Sequence, residues 1–357
     1  MSLLLSPLPL RGTQIRNRAW VSPMCQYSSV EGMPADWHLV HLGQFATGGA
    51  GLVMTEASAV TADGRISPDD AGIWSDAHAE LWERVAAFVG SQRAAVGMQL
   101  AHAGRKASTY APWSDRGSVP AGEGGWTAVA PSPVPFDGYA EPRSLSGDEL
   151  RGVVDAFAAA AERAVGAGFD LVELHAAHGH LLHQFLSPLS NRRDDAYGGS
   201  FDNRVRLVLE TVDAVRARVP DATPLLARLS ATDWVDGGWE ADQSVELARL
   251  LRAHGVDLVD VSSGGAVAEA QIPVGAGYQV PFARRIRAEA GIATGAVGMI
   301  TDAKQAEDVI ADGSADAVLM ARALLRDPHW PLRAAFELGD ADAAPWPDQY
   351  LRARPTT

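Results

Sequence analysis

The stretch Phe169-Asp-Leu-Val-Glu-Leu-His175-Ala-Ala-His178-Gly-His180 joins a short apolar run to three histidines, and a fourth histidine, His183, follows closely. The run at 169–174 follows two glycines and contains a β-branched residue, which predicts a strand covered on both faces. The histidines then lie at its C-terminal end. Imidazole has the side-chain pKa nearest neutrality, so such a cluster can donate hydrogen bonds, move protons or bind a metal.

The bulk composition is that of a globular protein with a substantial core. The chain has 357 residues, of which 47% are hydrophobic and 21% are charged, and this length suits a single α/β barrel. A net charge of -14 argues against nucleic acid as a partner. The apolar N-terminus has no basic region before it and no apolar run is long enough for a membrane span, so we expect neither a signal peptide nor membrane insertion. The single cysteine, Cys25, excludes an intrachain disulfide or a cysteine-ligated cluster and favours the cytoplasm.

Apolar runs alternate with segments of helical periodicity along most of the chain. Strands are predicted at 19–24, 51–59, 95–101, 169–174, 224–230, 257–261, 293–297 and 315–320. Helices are predicted at 36–46, 77–93, 146–165, 202–219, 242–254, 281–289, 302–311 and 331–337, the third of them beginning at a capping box. Eight strands, each followed by a helix, predict a (β/α)8 TIM barrel rather than a doubly wound sheet. The sequence contains neither the glycine-rich dinucleotide fingerprint nor a P-loop.

Two segments depart from this alternation. Residues 104–145, after the third strand, are rich in Gly, Pro, Ser and aromatic residues, and a loop this long inside a domain is usually functional, so we expect a capping segment or lid. Residues 340–357 form a Pro-rich C-terminal tail. The whole chain, 1–357, is interpreted as one barrel domain.

Polar and small residues recur where the predicted strands end. Active sites of such barrels lie at the C-terminal ends of the strands. Seven strands contribute candidates there, namely Cys25, Ala57, Gln99, His175, His178, Arg228, Ser263 and Gly298. The loops after strands seven and eight commonly bind phosphate, and here they carry Gly298, Met299, Ala321 and Arg322. This convergence predicts an enzyme with a phosphorylated ligand.

The histidines allow three interpretations. His178, His180 and His183 could bind zinc, although few carboxylates lie near them in sequence. His180 and His183 could instead be structural, hydrogen-bonded near the barrel rim. For His175 and His178 we favour a third role, in which both rings donate to a carbonyl or nitro oxygen where negative charge develops.

Several longer motifs resemble the Old Yellow Enzyme family of FMN-dependent ene-reductases. The likeness is to the thermophilic-like branch, which includes bacterial NADPH dehydrogenases and xenobiotic reductases, and it covers nearly the whole chain. The motifs are Pro23-Met-Cys-Gln-Tyr27, residues 43–55, Gln99-Leu-Ala-His-Ala-Gly-Arg105-Lys106, His175-Ala-Ala-His178-Gly, Ser187-Pro-Leu-Ser-Asn191-Arg192, Asp195-Ala-Tyr-Gly-Gly-Ser200, Gly295-Ala-Val-Gly298 and Leu324-Leu-Arg-Asp-Pro328.

The resemblance implies bound FMN, with NADPH or NADH as reductant and an activated alkene as substrate, such as an enone, an enal, a maleimide or a nitro compound. The positions that match the family's flavin ring contacts are Pro23, Met24, Ala57, Gln99, His175 and Arg228. The positions that match its phosphate site, or belong to the same loops, are Ser263, Gly264, Gly298, Met299, Ala321 and Arg322. A guanidinium such as that of Arg228 would stabilise an anionic reduced flavin. Ala321 stands where the family commonly has glycine.

The resemblance also implies roles for the catalytic positions. Cys25 matches a cysteine that touches the flavin and tunes its potential, although it could simply be a small buried hydrophobe. Tyr27 matches a substrate contact, or is a core tyrosine. His175 and His178 would hold the carbonyl oxygen during ping-pong hydride transfer. His180 stands where the family usually has a proton-donating tyrosine, so the proton source is open between His180, Tyr27 and solvent.

Near the C-terminus, Gln349-Tyr350-Leu351-Arg352 resembles a tail whose arginine enters the neighbouring subunit's active site. It implies substrate binding by Arg352 across the interface of a homodimer or homotetramer; the alternative is a solvated tail arginine. Two rival functions are a metal-dependent barrel hydrolase that uses the cluster from His175 to His183, and a non-catalytic flavin-binding protein.

Overall fold

The computed structural model describes residues 1–355 and contains twelve strands and ten helices within them. The strands are β1 (Leu8–Leu10), β2 (Thr13–Ile15), β3 (Ala19–Val21), β4 (Leu52–Ala59), β5 (Ala95–Ala101), β6 (Val129–Ala130), β7 (Arg143–Ser144), β8 (Leu171–Ala176), β9 (Leu225–Ser230), β10 (Leu258–Ser262), β11 (Ala293–Ala296) and β12 (Ala317–Met320). The helices are α1 (Asp36–Thr47), α2 (Asp76–Ser91), α3 (Gly147–Gly166), α4 (Leu181–Leu186), α5 (Phe201–Arg218), α6 (Ala241–Ala253), α7 (Val280–Ala290), α8 (Ala303–Ala311), α9 (Arg322–Arg326) and α10 (Trp330–Glu337).

Eight parallel strands close into one barrel. Their order around it is β3-β4-β5-β8-β9-β10-β11-β12, and β12 pairs with β3 to complete the circle. This confirms the predicted (β/α)8 fold.

The capping box at the start of α3 is also present, because Ser146 Oγ accepts a hydrogen bond from the Glu149 amide and Glu149 Oε2 accepts one from the Ser146 amide. In the described residues no helix is both long and apolar enough to cross a membrane.

Side chains inside the barrel change from apolar to polar along the strands. At the N-terminal end, the antiparallel hairpin of β1 and β2 packs Leu10 and Ile15 against inward residues such as Trp20 and Leu226. Outward residues pack under the helices, for example Val172 against a core that includes Phe157 of α3. Side chains alternate between the inside and the outside along a strand. The apolar inward residues fill the N-terminal end of the barrel, so the polar residues occupy the inward positions near the C-terminal ends.

Strand β8 ends two residues later than predicted, which is a correction. It continues to Ala176, because its ladder with β9 extends to the pair Ala176 and Leu229. His175 is therefore part of the strand and not of the following loop. Strand β3, in contrast, is shorter than predicted. It ends at Val21 and not at Met24, so the segment from Ser22 to Tyr27 is a loop.

The capping segment, residues 104–145, is ordered by side-chain contacts more than by secondary structure. It carries the two-residue pair of β6 with β7 and the short 3-10 turns Gly104–Lys106 and Ala121–Glu123. The guanidinium of Arg65 lies 5.3 Å from the ring centre of Trp74 and 4.9 Å from that of Trp126. Arg65 thus joins the capping segment to the loop that follows β4.

Candidate active site

Strand register brings the central residues together at the C-terminal end of the barrel. His175 is the Cα partner of Arg228 on β9, and Arg228 is the partner of Asp260 on β10. On the other side, Gln99 of β5 pairs with both Ala57 of β4 and Glu173 of β8. Residues far apart in sequence thus form one continuous polar layer.

Arg228 is a buried cation with a fixed orientation. Its Nε lies 2.9 Å from Asp260 Oδ2, and its Nη2 donates to Ser22 Oγ over 3.0 Å. Glu173 also lies in this layer, where its Oε1 accepts a hydrogen bond of 2.8 Å from Gln99 Nε2. Burial, followed by repulsion from Asp260, raises the pKa of Glu173 to about 8. At neutral pH Glu173 is therefore mostly protonated, and the charge of Arg228 is opposed mainly by Asp260.

Three neutral imidazoles cluster above this layer. The ring centre of His175 lies 5.2 Å from that of His178 and 4.4 Å from that of His180. Burial is the largest cause that lowers the pKa of each ring, to about 3 for His180 and well below the usual value for His175 and His178. Neighbouring cations, including Arg228, lower these pKa values further. Near neutral pH the three rings can donate and accept hydrogen bonds, but they are not protonated to imidazolium.

The backbone around His178 is held in an uncommon conformation. His178 has φ of 57°, and its amide donates to Ser230 Oγ over 2.9 Å. Lys106 Nζ donates to the carbonyl oxygens of His178 and Gly265 over 2.9 and 2.6 Å. Gly179 follows with φ of 72°, and a Cβ there would lie 2.2 Å from the Gly265 oxygen, so only glycine fits.

His183 has a structural position, which was one of its two sequence interpretations. It is fully buried, its Nε2 lies 3.0 Å from Asp233 Oδ1, and its Nδ1 accepts a hydrogen bond from the Gly179 amide. In the described part of the chain, no group of three potential metal-ligand atoms within 4.8 Å of one another includes a histidine. The arrangement therefore gives no support to the zinc hydrolase alternative.

Cys25 lies beside two buried carboxyl groups. Ligand atoms of Cys25, Glu56 and Asp70 lie within 4.8 Å of one another. Glu56 Oε2 accepts a hydrogen bond of 3.0 Å from the amide of Gln26, and Glu56 Oε1 lies 3.0 Å from His38 Nε2. Burial, followed by Asp70 and Glu56, raises the pKa of the Cys25 thiol well above its usual value. The thiol is thus held protonated.

Tyr27 lies at the edge of the site and touches the capping segment. It has φ of 49°, and its ring meets that of Trp113 edge-on with 5.3 Å between the ring centres. Burial raises the pKa of Tyr27 far above its usual value, and the nearby Cys25, Asp70 and Glu56 add to the effect. The phenol is therefore a poor acid in this structure.

The ends of β11 and β12 enclose a cavity of about 220 Å³. The predicted phosphate residues Gly298, Met299, Ala321 and Arg322 line it, together with Gln279. Gly298 has φ of 117°, and a Cβ there would lie 2.9 Å from Gln279 Nε2. The other two predicted phosphate residues lie outside this lining: Ser263 donates to Gln279 Oε1 over 2.6 Å, and a Cβ on Gly264 would meet Ile272 at 2.8 Å.

The residues present fit FMN. The cavity at β11 and β12 combines a cation, Arg322, with the start of a helix, where backbone amides lack intrahelical acceptors. At the centre of the site, buried His175 Nδ1 has no hydrogen-bond partner among the described residues, as expected of an atom that meets a bound molecule. Pro23 and Met24, in the loop after β3, are half-buried, which leaves surface for a ring to cover.

Arg352 does not reach this site in its own chain. It is exposed in the 3-10 turn Asp348–Ala353, and Tyr350 in the same turn packs beside His329. The preceding residues, including Pro345 and Gln349, line a hollow with Ala46 and Arg93. Since Ala46 lies in the last turn of α1 and Arg93 precedes β5, this hollow lies at the N-terminal end of the strands, opposite the histidines.

Several residues of the site were not singled out from the sequence. They are Ser230, Asp260, Ser262, Gln279 and Lys106, the last quoted only within a motif. Asp260 and Ser262 did leave a signal, because polar residues two apart in a buried strand share the inward face. Gln279 left none, because only tertiary contacts show that it joins β10 to the phosphate cavity.

Comparisons with known proteins give a consistent result. The model of the NADH:flavin oxidoreductase / NADH oxidase family matches residues 3–340. An NADPH dehydrogenase of Geobacillus thermodenitrificans is 47% identical, with 96% of this chain and 97% of that protein covered. An NADH:flavin oxidoreductase of Gibberella zeae is 43% identical, with 94% and 86% covered. The structure of morphinone reductase in complex with tetrahydroNAD superimposes with a TM-score of 0.79 at 29% identity, covering 95% of this chain and 91% of that one.

The matched span includes the whole barrel and every residue of the candidate site except those in the tail. The protein is thus a flavin-dependent oxidoreductase that uses NADH or NADPH. The chain belongs to the NADH:flavin oxidoreductase / NADH oxidase family and is an FMN-dependent enzyme of the Old Yellow Enzyme type.

Proposed function

We propose that the protein is an ene-reductase, which reduces the C=C bond of activated alkenes such as enones, enals, maleimides and nitroalkenes in a ping-pong cycle with NADPH or NADH. The observation that carries the proposal is the pair of neutral imidazoles, His175 and His178, next to the buried cation Arg228. Because both rings are uncharged, they do not attract an anion that would occupy the site. They can therefore donate hydrogen bonds to the carbonyl or nitro oxygen of a substrate. The donated hydrogen bonds strengthen as negative charge develops on that oxygen.

Bound FMN would supply the hydride that the β-carbon of the alkene receives. The residues assigned to its ring are Pro23, Met24, Ala57, Gln99 and Arg228, and those assigned to its phosphate are Ser263, Gly264, Gly298, Met299, Ala321 and Arg322. Arg228 would favour negative charge on the nearby ring edge, because Asp260 and Ser22 hold its guanidinium in one orientation. Cys25, held as a neutral thiol, adds no charge to the ring's surroundings.

The α-carbon must also receive a proton, and we propose that water delivers it. The pKa of His180 is lowered to about 3, so its ring carries no extra proton at neutral pH. The raised pKa of Tyr27 shows that its phenol keeps its proton strongly. The support for water is access, because His178 and Tyr27 are both partly exposed to solvent, so water can reach the substrate in this site.

The first prediction concerns His178 and separates the two halves of the cycle. In His178→Ala, we expect alkene reduction to slow by about a hundredfold, because a missing oxyanion donor typically costs that much. Flavin reduction by NADPH should slow far less. Stopped-flow absorbance of the flavin measures both half-reactions on one preparation. Equal slowing of both would contradict the role, and a protein whose flavin NADPH and NADH cannot reduce would favour the binding-only alternative.

We further propose that the enzyme works as a homodimer or homotetramer in which Arg352 binds substrate in the site of a neighbouring subunit. Two observations support this. Arg352 is exposed, and Asp348 and Gln349 of the same turn line a hollow at the end of the barrel opposite the histidines of their own chain. Helix α1 also exposes the apolar side chains Trp37 and Val40, which association commonly buries. Residues 104–145 would act as a cap over the site within one domain, 1–357. The cytoplasmic location stays a prediction.

A further inference from the structure

We propose that Ser262 sets the tautomer of His178, by donating its hydroxyl proton to Nε2 so that the ring's own proton lies on Nδ1 and is offered to the substrate oxygen. This inference rests on the proposed function, because it assigns Ser262 as a positioning residue for that reaction. A neutral imidazole has one N–H. A substrate clamp made of His178 therefore works only if that hydrogen lies on the nitrogen that faces the substrate.

The distances favour donation from Ser262 to the ring. Ser262 Oγ lies 2.7 Å from His178 Nε2 and 3.3 Å from Gln279 Oε1, the second acceptor within its reach. The hydroxyl has a single hydrogen, and the shorter contact is the stronger hydrogen bond.

Gln279 accepts its shorter hydrogen bond from another serine. Its Oε1 accepts a hydrogen bond from Ser263 Oγ over 2.6 Å, and its Nε2 donates to the Val297 carbonyl over 3.2 Å. The second contact orients the amide, so that the oxygen and not the nitrogen faces the two serines. Ser263 makes the shorter contact with this oxygen, and Ser262 reaches it only over 3.3 Å. Donation from the Ser262 hydroxyl to His178 Nε2 over 2.7 Å is therefore the stronger of its two possible hydrogen bonds.

The remaining contacts of His178 hold its backbone and leave Nδ1 free. Ser230 accepts from the amide, and Lys106 donates to the carbonyl oxygen, so neither competes for the ring. Nδ1 takes part in none of the hydrogen bonds that the described residues form with His178, and the residue is partly exposed. With Nε2 occupied as an acceptor, Nδ1–H is the donor that remains for a ligand.

Ser262 and Ser230 occupy equivalent positions on neighbouring strands, so Ser230 serves as the matched control for Ser262. They are Cα partners at the ends of β10 and β9, both are buried, and both contact His178. Ser262 meets the ring, whereas Ser230 meets the backbone and also donates to the Gly264 carbonyl. Ser262→Ala removes tautomer control, and Ser230→Ala removes a neighbouring hydroxyl without touching the ring.

The experiment measures the tautomer directly, by 15N NMR of the FMN-bound enzyme labelled at histidine, with the His178 signals assigned by their absence in His178→Gln. We expect Nδ1–H in the wild type, a shift toward Nε2–H in Ser262→Ala, and return of Nδ1–H in Ser262→Thr, which keeps a hydroxyl. Ser230→Ala should keep the wild-type tautomer. Flavin absorbance checks that each variant is folded and loaded.

Kinetics supply the second readout. We expect kcat for reduction of cyclohexenone to fall about tenfold in Ser262→Ala, or about 1.4 kcal/mol, and to recover in Ser262→Thr. Nε2–H in the wild type, or an unchanged tautomer and rate in Ser262→Ala, would overturn the proposal. A wild type that reduces no activated alkene would instead overturn the proposed function, and the NMR spectrum would still decide the tautomer.

Discussion

Glu173 shows how a single buried residue makes the barrel sensitive to pH. Its carboxyl lies in the layer that also holds Asp260 and Arg228, and its Oε2 has no hydrogen-bond partner in the described residues. Burial and Asp260 raise its pKa from the ordinary 4.5 to about 8. Because the folded state binds this proton more tightly than the unfolded state, Glu173 contributes stability below pH 4.5, and that contribution is lost as pH rises toward about 8.

We predict that Glu173→Gln removes part of the pH dependence of the protein's thermal stability. The amide keeps an oxygen for Gln99 but cannot ionise, so the melting temperature of the variant relative to the wild type should rise between mildly acidic and mildly alkaline pH. Thermal unfolding followed by circular dichroism at a series of pH values measures this. Glu83→Gln, an exposed change on α2, is the control. A difference that does not vary with pH would show that Glu173 is not protonated in the folded protein.

Cys25 gives a second prediction at the scale of one residue. Asp70 is among the groups that raise the pKa of its thiol, and the pKa of Asp70 is itself raised to about 7 by burial and by Glu56. Above that pH Asp70 is ionised, so Asp70→Asn should lower the thiol pKa and speed alkylation by iodoacetamide roughly tenfold, or about 1.4 kcal/mol.

The exposed neighbour Asp69 supplies the control, since Asp69→Asn should leave the alkylation rate unchanged. Mass spectrometry of the peptide that contains Cys25 measures each rate under mildly alkaline conditions. If Asp70→Asn reacts no faster than Asp69→Asn, the carboxyl group does not control the thiol.

At the scale of elements, the capping segment depends on a few side chains because it has little secondary structure. Arg65 lies between the rings of Trp74 and Trp126, and Trp126 Nε1 donates to the Asp63 carbonyl. A cation beside an aromatic ring contributes about 0.5–1 kcal/mol at an exposed site and more when desolvated. Arg65 is therefore one of the links between this segment and the loop after β4, beside the hydrogen bonds that Thr109 donates to the Ile66 carbonyl.

We predict that Arg65→Ala loosens the capping segment while the barrel stays intact. Amide hydrogen exchange should speed several-fold in residues 104–145 and stay unchanged in β8 and β9. Arg116→Ala, which removes an exposed charge within the same segment, is the matched control. Unchanged exchange in Arg65→Ala would mean that other contacts, such as Trp113 on Tyr27, hold the segment.

Strand β8 illustrates which boundaries a sequence can reveal. The apolar run stops at Leu174, so periodicity alone ends the strand there. The backbone continues to pair with β9 for two more residues, because ladder hydrogen bonds do not depend on side-chain polarity. This extension makes His175 an inward residue of the strand. The hairpin of β1 and β2, with three residues in each strand, was too short to leave a periodic signal.

At the scale of the whole molecule, the tail yields a prediction about association. If Arg352 acts in a neighbouring subunit, Arg352→Ala should bind substrate more weakly and retain FMN. Mixed oligomers of His178→Ala and Arg352→Ala should then regain activity, because the site in the Arg352→Ala chain combines its own intact His178 with Arg352 of the partner subunit.

Co-expression with two affinity tags yields such mixed oligomers, and steady-state kinetics measures the recovery against each parent variant alone. An activity equal to the average of the parents would show that Arg352 does not act in trans. A monomer in sedimentation experiments would contradict the predicted assembly itself.

Much of the site was accessible from sequence because barrel topology places the ends of all strands on one rim. The fold prediction therefore placed four residues at one end of the barrel, namely Cys25, Gln99, His175 and Arg228. In the structure, Gln99, His175 and Arg228 lie on the adjacent strands β5, β8 and β9. The separation of His183 from the other histidines was not predictable. Its partner, Asp233, lies fifty residues away, after another strand.

The amino-acid sequence by itself determined the eight-stranded barrel, the family motifs and the residues at the strand ends, because hydrophobic periodicity, caps and turns are local properties of the chain. Only the tertiary structure decided the chemical state of those residues: neutral histidines, a protonated Glu173, a protonated thiol and a hydroxyl next to the His178 ring. The reason is physical. Protonation and tautomer depend on desolvation and on partners that separate strands bring together, and neither is encoded in any one stretch of sequence.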